Sequence, residues 1–545
     1  MQSYIEFARN YLEERGIKVH MTDEKSLIFY YNDLVFLFIL NLNFPFSLPK
    51  IIMKNDNKDY PHFIKKENIV HLCLGYDSDY NLYMSSAEEI ISETLEKFFR
   101  LLNLTKRQQK KEFFKEFVYF WNKRRIKDNN FYIFFNPGSY TKEIRIEETY
   151  REKKRKFSAF YEQDTVNEKY RETGTKRNGI YLPLENINYL SPFSDEWDVD
   201  KLINQNISEE NYGFLKNYML KKDFIYIIFS LFLENGFEIM FSSKFKFKTS
   251  MENSLLYKIK NELIQIESFS STRIDSAYLC QRIGITKKYL DKKVAVVGCG
   301  SLGSYVANEI SKIGIKSLSL FDYDSLSPEN SFRHILGIDD TEKNKANGLK
   351  KKLELNFPHL CVLNYDYEIT CNNFYEQNFE ELDLLVFSIG DTTNQLRIND
   401  LLLKNKFSKP VLYTWLDPFG VGCHALLVDY SKKGCYKCLS LDENGEFSEN
   451  DKITFSKNLE NMIYEDGCGG SFNPYGNTVL LKGTAMIMNI VKNIFDGKKY
   501  EKNPLFSVKN YFEESISYTE RFFRREDELY ENYEYIVERC ECCDK

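Results

Sequence analysis

Gly298-Cys299-Gly300-Ser301-Leu302-Gly303 is a run whose residue types could handle phosphate. Glycines let a backbone approach an anion closely, and a helix N-terminus offers N–H donors and positive partial charge. The apolar run Lys293–Val297 precedes it and the helically spaced run Ser304–Ile313 follows it. The loop is therefore expected at a strand-to-helix turn. The next apolar run, Ser317–Phe321, ends at Asp322, where an acid can accept hydrogen bonds from ribose hydroxyls. Asn330, Arg333, Lys345 and Asp391 follow in order. Hydride transfer needs no such set around the phosphates. Adenylation does, because the α-phosphate becomes five-coordinate and highly charged as pyrophosphate leaves. Cations stabilise that charge, and an aspartate can hold Mg²⁺.

Cysteine offers a second chemistry. Cys468 lies in Gly467-Cys468-Gly469-Gly470, with the helical run Thr484–Ile494 after it. A thiolate on an uncrowded turn near a helix is reactive. Cys435 and Cys438 form one CxxC pair, and Cys540 and Cys543 form another near the chain end. Two such pairs allow a four-cysteine zinc site; a redox pair and loose surface thiols are the other readings. Cys73 lies in His71-Leu72-Cys73-Leu74-Gly75, downstream of Tyr60-Pro61-His62.

Elements must position these groups. Strand, glycine turn, helix and strand over 293–321 make a βαβ unit of a parallel sheet, and Leu382–Ile389 reads as a further strand. Near the N-terminus, Tyr4, Phe7, Ala8, Tyr11 and Leu12 recur at helical spacing. Strand-like runs Ser26–Tyr31, Leu34–Asn43 and Lys50–Lys54 follow, the last two separated by Phe44-Pro45-Phe46-Ser47-Leu48-Pro49. Ser86–Leu102 reads as a helix. Residues 126–280 alternate aromatic strands with charged segments, and Ile225–Leu233 can pair with Gly236–Phe241. The chain has 545 residues, 43% hydrophobic and 28% charged, with net charge -6. Those values suit a multidomain globular protein and speak against a nucleic-acid-binding or membrane-surface protein. No apolar run long enough to span a bilayer and no secretory signal is read, so a cytoplasmic protein with reduced thiols is expected.

The stretch from Val294 to Lys345 resembles the adenylation core of the ThiF/MoeB and ubiquitin-activating enzyme family. The resemblance implies ATP and Mg²⁺ as cofactors, with the loop glycines Gly298, Gly300 and Gly303 under the nucleotide. It implies a ribose contact at Asp322, phosphate contacts at Asn330, Arg333 and Lys345, and a magnesium ligand at Asp391. It also implies Cys468 as the catalytic cysteine of a crossover loop, a zinc site from Cys435, Cys438, Cys540 and Cys543, and a homodimer in which Arg282 reaches the partner's ATP. The segment around Cys73 looks like a ubiquitin-conjugating domain, without the usual His-Pro-Asn; His62 or His71 is the candidate for the oxyanion role.

The fold class expected is multidomain α/β. Residues 1–125 form an α+β ubiquitin-conjugating-like (UBC/RWD-like) domain, 126–280 a middle α+β linker or docking domain, and 281–545 a Rossmann-like adenylation domain with a mainly parallel sheet. A conjugating domain ahead of an activating one resembles the fused bacterial enzymes of CBASS anti-phage operons. That implies a protein substrate with a free C-terminus, either a nucleotidyltransferase (CD-NTase-like) sensor or a ubiquitin-like protein, passed from Cys468 to Cys73 and then to an acceptor lysine. The alternatives are a sulfur-carrier adenylyltransferase that needs no Cys73 domain, a nicotinamide-dependent dehydrogenase, and a non-catalytic scaffold.

Overall fold

The computed structural model describes residues 1–54, 60–66, 69–75, 82, 84–118, 121, 129–151, 154–161, 175–185, 206–233, 236–285, 287–448, 453–457, 463–464, 471–472, 474–511, 516–524 and 531–540. They fall into two compact units. One holds 1–132, 137–157 and 176–272, and the other 133–136, 158–175 and 273–545.

In the first unit, helix Gln2–Glu13 buries Ile5, Ala8 and Leu12; of the helically spaced residues Ala8 and Leu12 are buried, while Tyr4, Phe7 and Tyr11 pack partly buried against the same core. Strands Val19–Asp23, Ser26–Tyr31, Leu34–Ile39 and Lys50–Lys54 run as an antiparallel meander, followed in the sheet by Ile69–Leu72 and Phe63–Lys66. Helix Ala87–Leu102 starts in a capping box, in which Ser86 and Glu89 each accept from the other's backbone N–H. It lays Phe98 against Phe29 and Phe36 with ring centroids 5.1 and 4.8 Å apart. A second capping box, Thr105 with Gln108, opens helix Lys106–Lys115. Further along, seven strands between Asn129 and Arg273 close into a barrel. Phe224–Phe232 and Glu238–Phe247 pair there antiparallel, the pairing expected of Ile225–Leu233 with Gly236–Phe241.

The second unit is built on a seven-stranded mixed sheet. In spatial order it runs Cys361–Tyr365, Ser317–Phe321, Lys293–Val297, Leu384–Phe387, Val411–Leu416, Gly422–Val428 and Leu505–Lys509. Neighbours are parallel through Val411–Leu416, and the last two strands are antiparallel. Lys293–Val297, an apolar run buried along its length after Lys293, and Ser317–Phe321, where Leu318 and Leu320 alternate with half-buried serines, appear in the structure with the bounds the sequence marks. The helix after the glycine loop begins earlier than its apolar spacing, at Ser301, because Gly300 serves as its N-cap. Its first N–H groups therefore face the loop. Helix Asn477–Phe495 packs on this helix, and its apolar face joins the core around Val294, Val296 and Val306. No helix of the described residues is long and apolar enough to cross a membrane.

Candidate functional site

Lys293–Val297 is the point where strand order reverses, with Ser317–Phe321 on one side and Leu384–Phe387 on the other. A crevice opens at the carboxyl ends of parallel strands at such a point. The glycine loop fills it. Gly298 has φ +89°, and a Cβ there would lie 2.5 Å from the Ser388 carbonyl oxygen. A Cβ at Gly303 would lie 1.9 Å from the Gly298 carbonyl oxygen, so glycine lets the helix sit on the loop. Gly300 is different: a Cβ there would meet nothing within 4 Å. It faces open space, and it lines both cavities described next.

The smaller cavity, ≈ 230 Å³, brings Gly298, Gly300, Asp322, Lys345 and Asp391 together with Asp324 and Glu368. Asp322 accepts the Cys299 N–H at 2.6 Å through Oδ2 and the Asp324 N–H at 2.8 Å through Oδ1. Burial pushes its carboxyl above the ordinary aspartate range, against the opposing charge of Lys345. Lys345 Nζ lies 3.0 Å from Asp324 Oδ2, and its side chain is only 13% exposed. Asp391 caps helix Thr392–Lys404, accepting the Asn394 N–H at 3.0 Å. Lys345 is the one cation among the described lining residues, and four carboxylates surround it. Such a mouth suits a polyphosphate only with a divalent cation between phosphate and carboxylate oxygens.

Asn330 and Arg333 are not among the residues that line this cavity. Arg333 donates to Asn330 Oδ1 from Nε at 2.9 Å and from Nη2 at 2.6 Å, and its guanidinium lies 4.6 Å from the centre of the Tyr475 ring. Tyr475 donates its hydroxyl to Ser301 Oγ at 3.0 Å. This chain of contacts leads from Arg333 to the start of the loop helix.

His334, to which sequence reasoning assigned no role, holds the loop. Its Nδ1 accepts the Leu336 N–H at 3.0 Å, so the proton sits on Nε2 and is donated to the Cys299 carbonyl at 2.7 Å. Burial, with Lys345 and Lys352 nearby, keeps this imidazole below its ordinary range and hence neutral. Cys299 itself is fully buried, and burial pushes its thiol well above the ordinary range. Glu368 was also missed, since it follows a strand end with no motif around it. Arg282 is exposed at the end of helix Ser276–Arg282.

A larger cavity, ≈ 740 Å³, opens from the other side of the loop and shares Gly300, Ser388, Ile389 and Gly390 with the first. Trp415, Leu439 and Phe447 form part of its wall, and Gln395 and Asp417 also line it.

Cys435, Cys438 and Cys540 are buried, and their sulfurs all lie within 4.8 Å of one another. Cys435 Sγ is 3.9 Å from both Cys438 Sγ and Cys540 Sγ. Tetrahedral zinc with Zn–S bonds of about 2.3 Å needs sulfurs roughly 3.8 Å apart, so this trio fits three corners of such a site. Cys543, expected as the fourth ligand, lies outside the described residues, and so does Cys468.

In the first unit, Cys73 is half-buried just past strand Ile69–Leu72, and its N–H donates to the His62 carbonyl at 2.8 Å. His62 has φ +64°, uncommon for a residue with a side chain. Its Nδ1 lies 3.0 Å from Glu116 Oε1, its Nε2 3.3 Å from Glu112 Oε2, and its N–H donates to Glu116 Oε2 at 2.7 Å. The bond to Glu116 is the main cause that holds this imidazole above its ordinary range, against burial.

A doubly wound sheet with a glycine loop at its switch point, an acid past the second strand, and a lysine facing carboxylates defines a nucleotide-binding fold of the adenylating type. Residues 276–525 match the ThiF family; this part of the chain is a ThiF family domain. The chain is 28% identical over 243 residues to ATP-dependent ubiquitin transferase-like protein Cap2 of Pseudomonas aeruginosa (strain BWHPSA011 / Pa011), covering 43% of this chain and 42% of that protein. It is 30% identical over 139 residues to ubiquitin-like modifier-activating enzyme 5 of Drosophila grimshawi, covering 24% of this chain and 35% of that enzyme. The chain thus spans less than half the length of either curated relative. A crystal structure of E. coli MccB with MccA-N7isoASN aligns over 49% of this chain and 70% of MccB, at 18% identity and a TM-score of 0.34.

Proposed function

We propose that the chain activates the C-terminus of a protein with ATP and carries it as a thioester before conjugation. The observation that carries this reading is the convergence of Gly298, Gly300, Asp322, Lys345 and Asp391 on one cavity. Asp322 accepts ribose hydroxyls, which its hold on two backbone amides orients. The N-terminal amides of helix Ser301–Lys312 and Lys345 take the phosphates. Arg333 and Asn330, off the cavity wall, contribute through the Tyr475–Ser301 contact or by moving when nucleotide arrives. Asp391 with Asp324 or Glu368 would hold Mg²⁺, which when bound neutralises charge on the polyphosphate.

A substrate carboxylate oxygen attacks the α-phosphorus, and pyrophosphate leaves. The thiolate of Cys468 then attacks the acyl carbon, and AMP leaves with the bonding pair. The thiolate of Cys73 attacks this thioester and releases the Cys468 thiolate; an acceptor amine, that of a lysine, then attacks the new thioester and releases the Cys73 thiolate. The domain division that follows is 1–125 conjugating-like, 126–280 linking or docking, and 281–545 adenylating with its crossover cysteine. The likeness to ATP-dependent ubiquitin transferase-like protein Cap2 supports ATP-dependent activation of a protein; a nucleotidyltransferase sensor as that protein, a place in anti-phage defence and a cytoplasmic homodimer follow from the domain order and family resemblance alone.

His62 has both ring nitrogens against glutamates, which leaves its backbone contact to Cys73 as its support for the nucleophile. Zinc on Cys435, Cys438, Cys540 and Cys543 would tie the chain end to the sheet. Elemental analysis should find about one zinc per chain, and a zinc-free protein would remove that part.

The deciding experiment incubates the chain with ATP and the protein encoded beside it, then runs a non-reducing gel. A thiol-sensitive adduct that disappears in Cys468→Ala is expected; its persistence in that variant sinks the assignment. Cys73→Ser should trap an oxyester. No trapped species would favour an adenylyltransferase without conjugating activity.

A further inference from the structure

Cys468 lies outside the described residues, but parts of the chain on either side of it do not. Ile463–Tyr464 pairs antiparallel with Ser471–Phe472, so residues 465–470, Cys468 among them, join two paired strands. The described segments that lead into and out of this hairpin rest on one feature of the large sheet. It is the turn from Asp417 to Gly422, between the antiparallel strands Val411–Leu416 and Gly422–Val428. On the entry side, Asp417 is 4% exposed and its Oδ2 accepts the Phe455 N–H at 2.8 Å. Phe455 is fully buried beside Gly422, where a Cβ would fall on the phenyl ring and 2.8 Å from Asp417 Oδ2. The Phe455 carbonyl accepts the Thr519 N–H at 2.9 Å, and Lys457 donates its N–H to the Ser517 carbonyl at 2.8 Å. On the exit side, Gly420 has φ +60°, and a Cβ there would lie 2.7 Å from Tyr475 Cβ and 2.9 Å from Val479 Cγ1. The turn is itself fixed from behind. His424 Nε2 lies 3.0 Å from Asp417 Oδ2, with its Nδ1 2.7 Å from Ser507 Oγ. Asn510 donates its N–H to the Val421 carbonyl at 2.8 Å and its Nδ2–H to the Gly420 carbonyl at 3.0 Å. One short turn thus holds the chain at both ends of the hairpin.

We infer that the Asp417–Gly422 turn is a positioning element for the thioester step, holding the two ends of the Cys468 hairpin in register, with Asp417 as the positioning residue. The two strands of a hairpin are hydrogen-bonded to each other, so it moves as a unit about its ends. A shift of ~1 Å at one end is carried to the residues that join the strands, and a misplacement of that size costs up to ~10²-fold in a step that needs two atoms within attack distance. That step is the one in which the Cys468 sulfur bonds the acyl carbon and AMP leaves with the electron pair. Adenylation draws on a different set of groups, those converging on the glycine loop, and neither Asp417 nor Gly420 lines the nucleotide cavity. The turn therefore acts on transfer of the acyl group to sulfur and not on formation of the adenylate. This inference rests on the reading of Cys468 as the thioester cysteine. His424 acts only through Asp417.

The test uses the full chain, ATP and the protein encoded beside it. Two rates are compared: ATP–pyrophosphate exchange, which reads adenylation, and single-turnover formation of the thiol-sensitive Cys468 adduct. Asp417→Ala removes the acceptor of the Phe455 N–H. It should slow the adduct ~10-fold or more and leave exchange within about threefold of native, which also shows that the domain folds. Asp417→Asn keeps an oxygen for that N–H and should return the adduct rate to within about threefold of native. Gly420→Ala pushes on the exit side and should show the same split between the two rates. Hydrogen exchange gives a readout that needs no substrate: in Asp417→Ala the Phe455 amide should exchange ~5-fold faster or more, as loss of one buried acceptor implies, while the amides of the glycine loop keep their native rates. Exchange and adduct formation that fall together would overturn the inference. So would an adduct rate that Asp417→Ala and Gly420→Ala leave untouched, or an Asp417→Asn chain as slow as Asp417→Ala. A native chain that catalyses pyrophosphate exchange yet forms no Cys468 adduct is a separate result: it sinks the thioester reading, and the positioning role with it.

Discussion

The glycine loop of the ThiF domain and the Cys73 segment of the first unit each rest on a histidine, and the two histidines work in opposite protonation states. His334 is buried, neutral, and bonded only to backbone: it accepts from Leu336 and donates to Cys299. His62 is a quarter exposed and lies between two carboxylates that favour its charged form. The loop is thus held by groups with no net charge, and the cysteine segment by an ion pair. A neutral bridge in a dry site keeps its geometry while charge develops next to it. An ion pair near the surface is weaker and follows pH and salt.

Linkage gives the sign for each. The His334 imidazole is depressed in the folded state, so below pH ~6.5 the unfolded chain binds a proton that the folded chain refuses, and stability falls with pH. The His62 imidazole is raised, so its contribution is complete below that value and is lost as pH rises through the folded pKa. Loop and cysteine segment therefore loosen at opposite ends of the pH scale.

The largest effect expected is on chemistry in the loop region. Lys345→Ala or Asp391→Ala should lower ATP–pyrophosphate exchange by ~10²-fold or more, the scale for one preorganised electrostatic group. Arg333→Ala, by the same reasoning, should cost ~10²-fold if nucleotide draws the guanidinium in; a drop of only a few-fold would assign it to the Tyr475 contact. A steric change comes next. Gly303→Ala places a Cβ on the Gly298 carbonyl and should destabilise the ThiF domain by roughly 1–3 kcal/mol in urea unfolding. Gly300→Ala, with open space around its Cβ, should unfold like the native protein yet bind ATP less well. Equal unfolding midpoints for the two variants would break the account of the loop.

His334→Gln should flatten the acid limb of the exchange profile below pH ~6.5 while lowering the rate throughout. An acid limb identical to the native one would mean that some other group sets it. The smallest effect is at His62. His62→Gln should cost at most about 1 kcal/mol, as half-exposed ion pairs do, and the cost should be greater at pH 6 than at pH 9. Hydrogen exchange at the Cys73 amide, corrected for intrinsic rate, reads this directly. Greater protection at high pH in the native chain would reverse the comparison.

Much of the nucleotide side was legible in the residues. The loop, its two strands and Asp322 stand together in 293–322, because a strand, a tight turn and a helix in a βαβ unit are local in sequence. Lys345 and Asp391 were legible as types that polyphosphate chemistry requires. Glu368, Gln395 and Asp417 were not. Glu368 and Gln395 belong to later crossovers and Asp417 to the turn between two antiparallel strands; each carries an ordinary polar side chain in an ordinary setting, and only the pairing of strands brings it to the loop. The helical run read from Thr484 begins at Asn477 in the structure, since polar residues at a helix start carry no apolar spacing. The six-stranded order of the first sheet, with Phe63–Lys66 outside Ile69–Leu72, was equally hidden; only the aromatic and β-branched content of its strands showed.

By itself the sequence determined the short-range features: which runs become strands, where the glycine turn falls, and which cysteines stand in pairs. Periodicity and turn chemistry act over a few residues, so they survive without the rest of the chain. Tertiary structure alone decided that Cys540 comes within 3.9 Å of Cys435, that His334 carries its proton on Nε2, and that Asn330 and Arg333 bond to each other off the cavity wall. Those facts depend on contacts between residues far apart in the chain or on competition among nearby partners, and burial settles them by making an unpaired polar group too costly to keep.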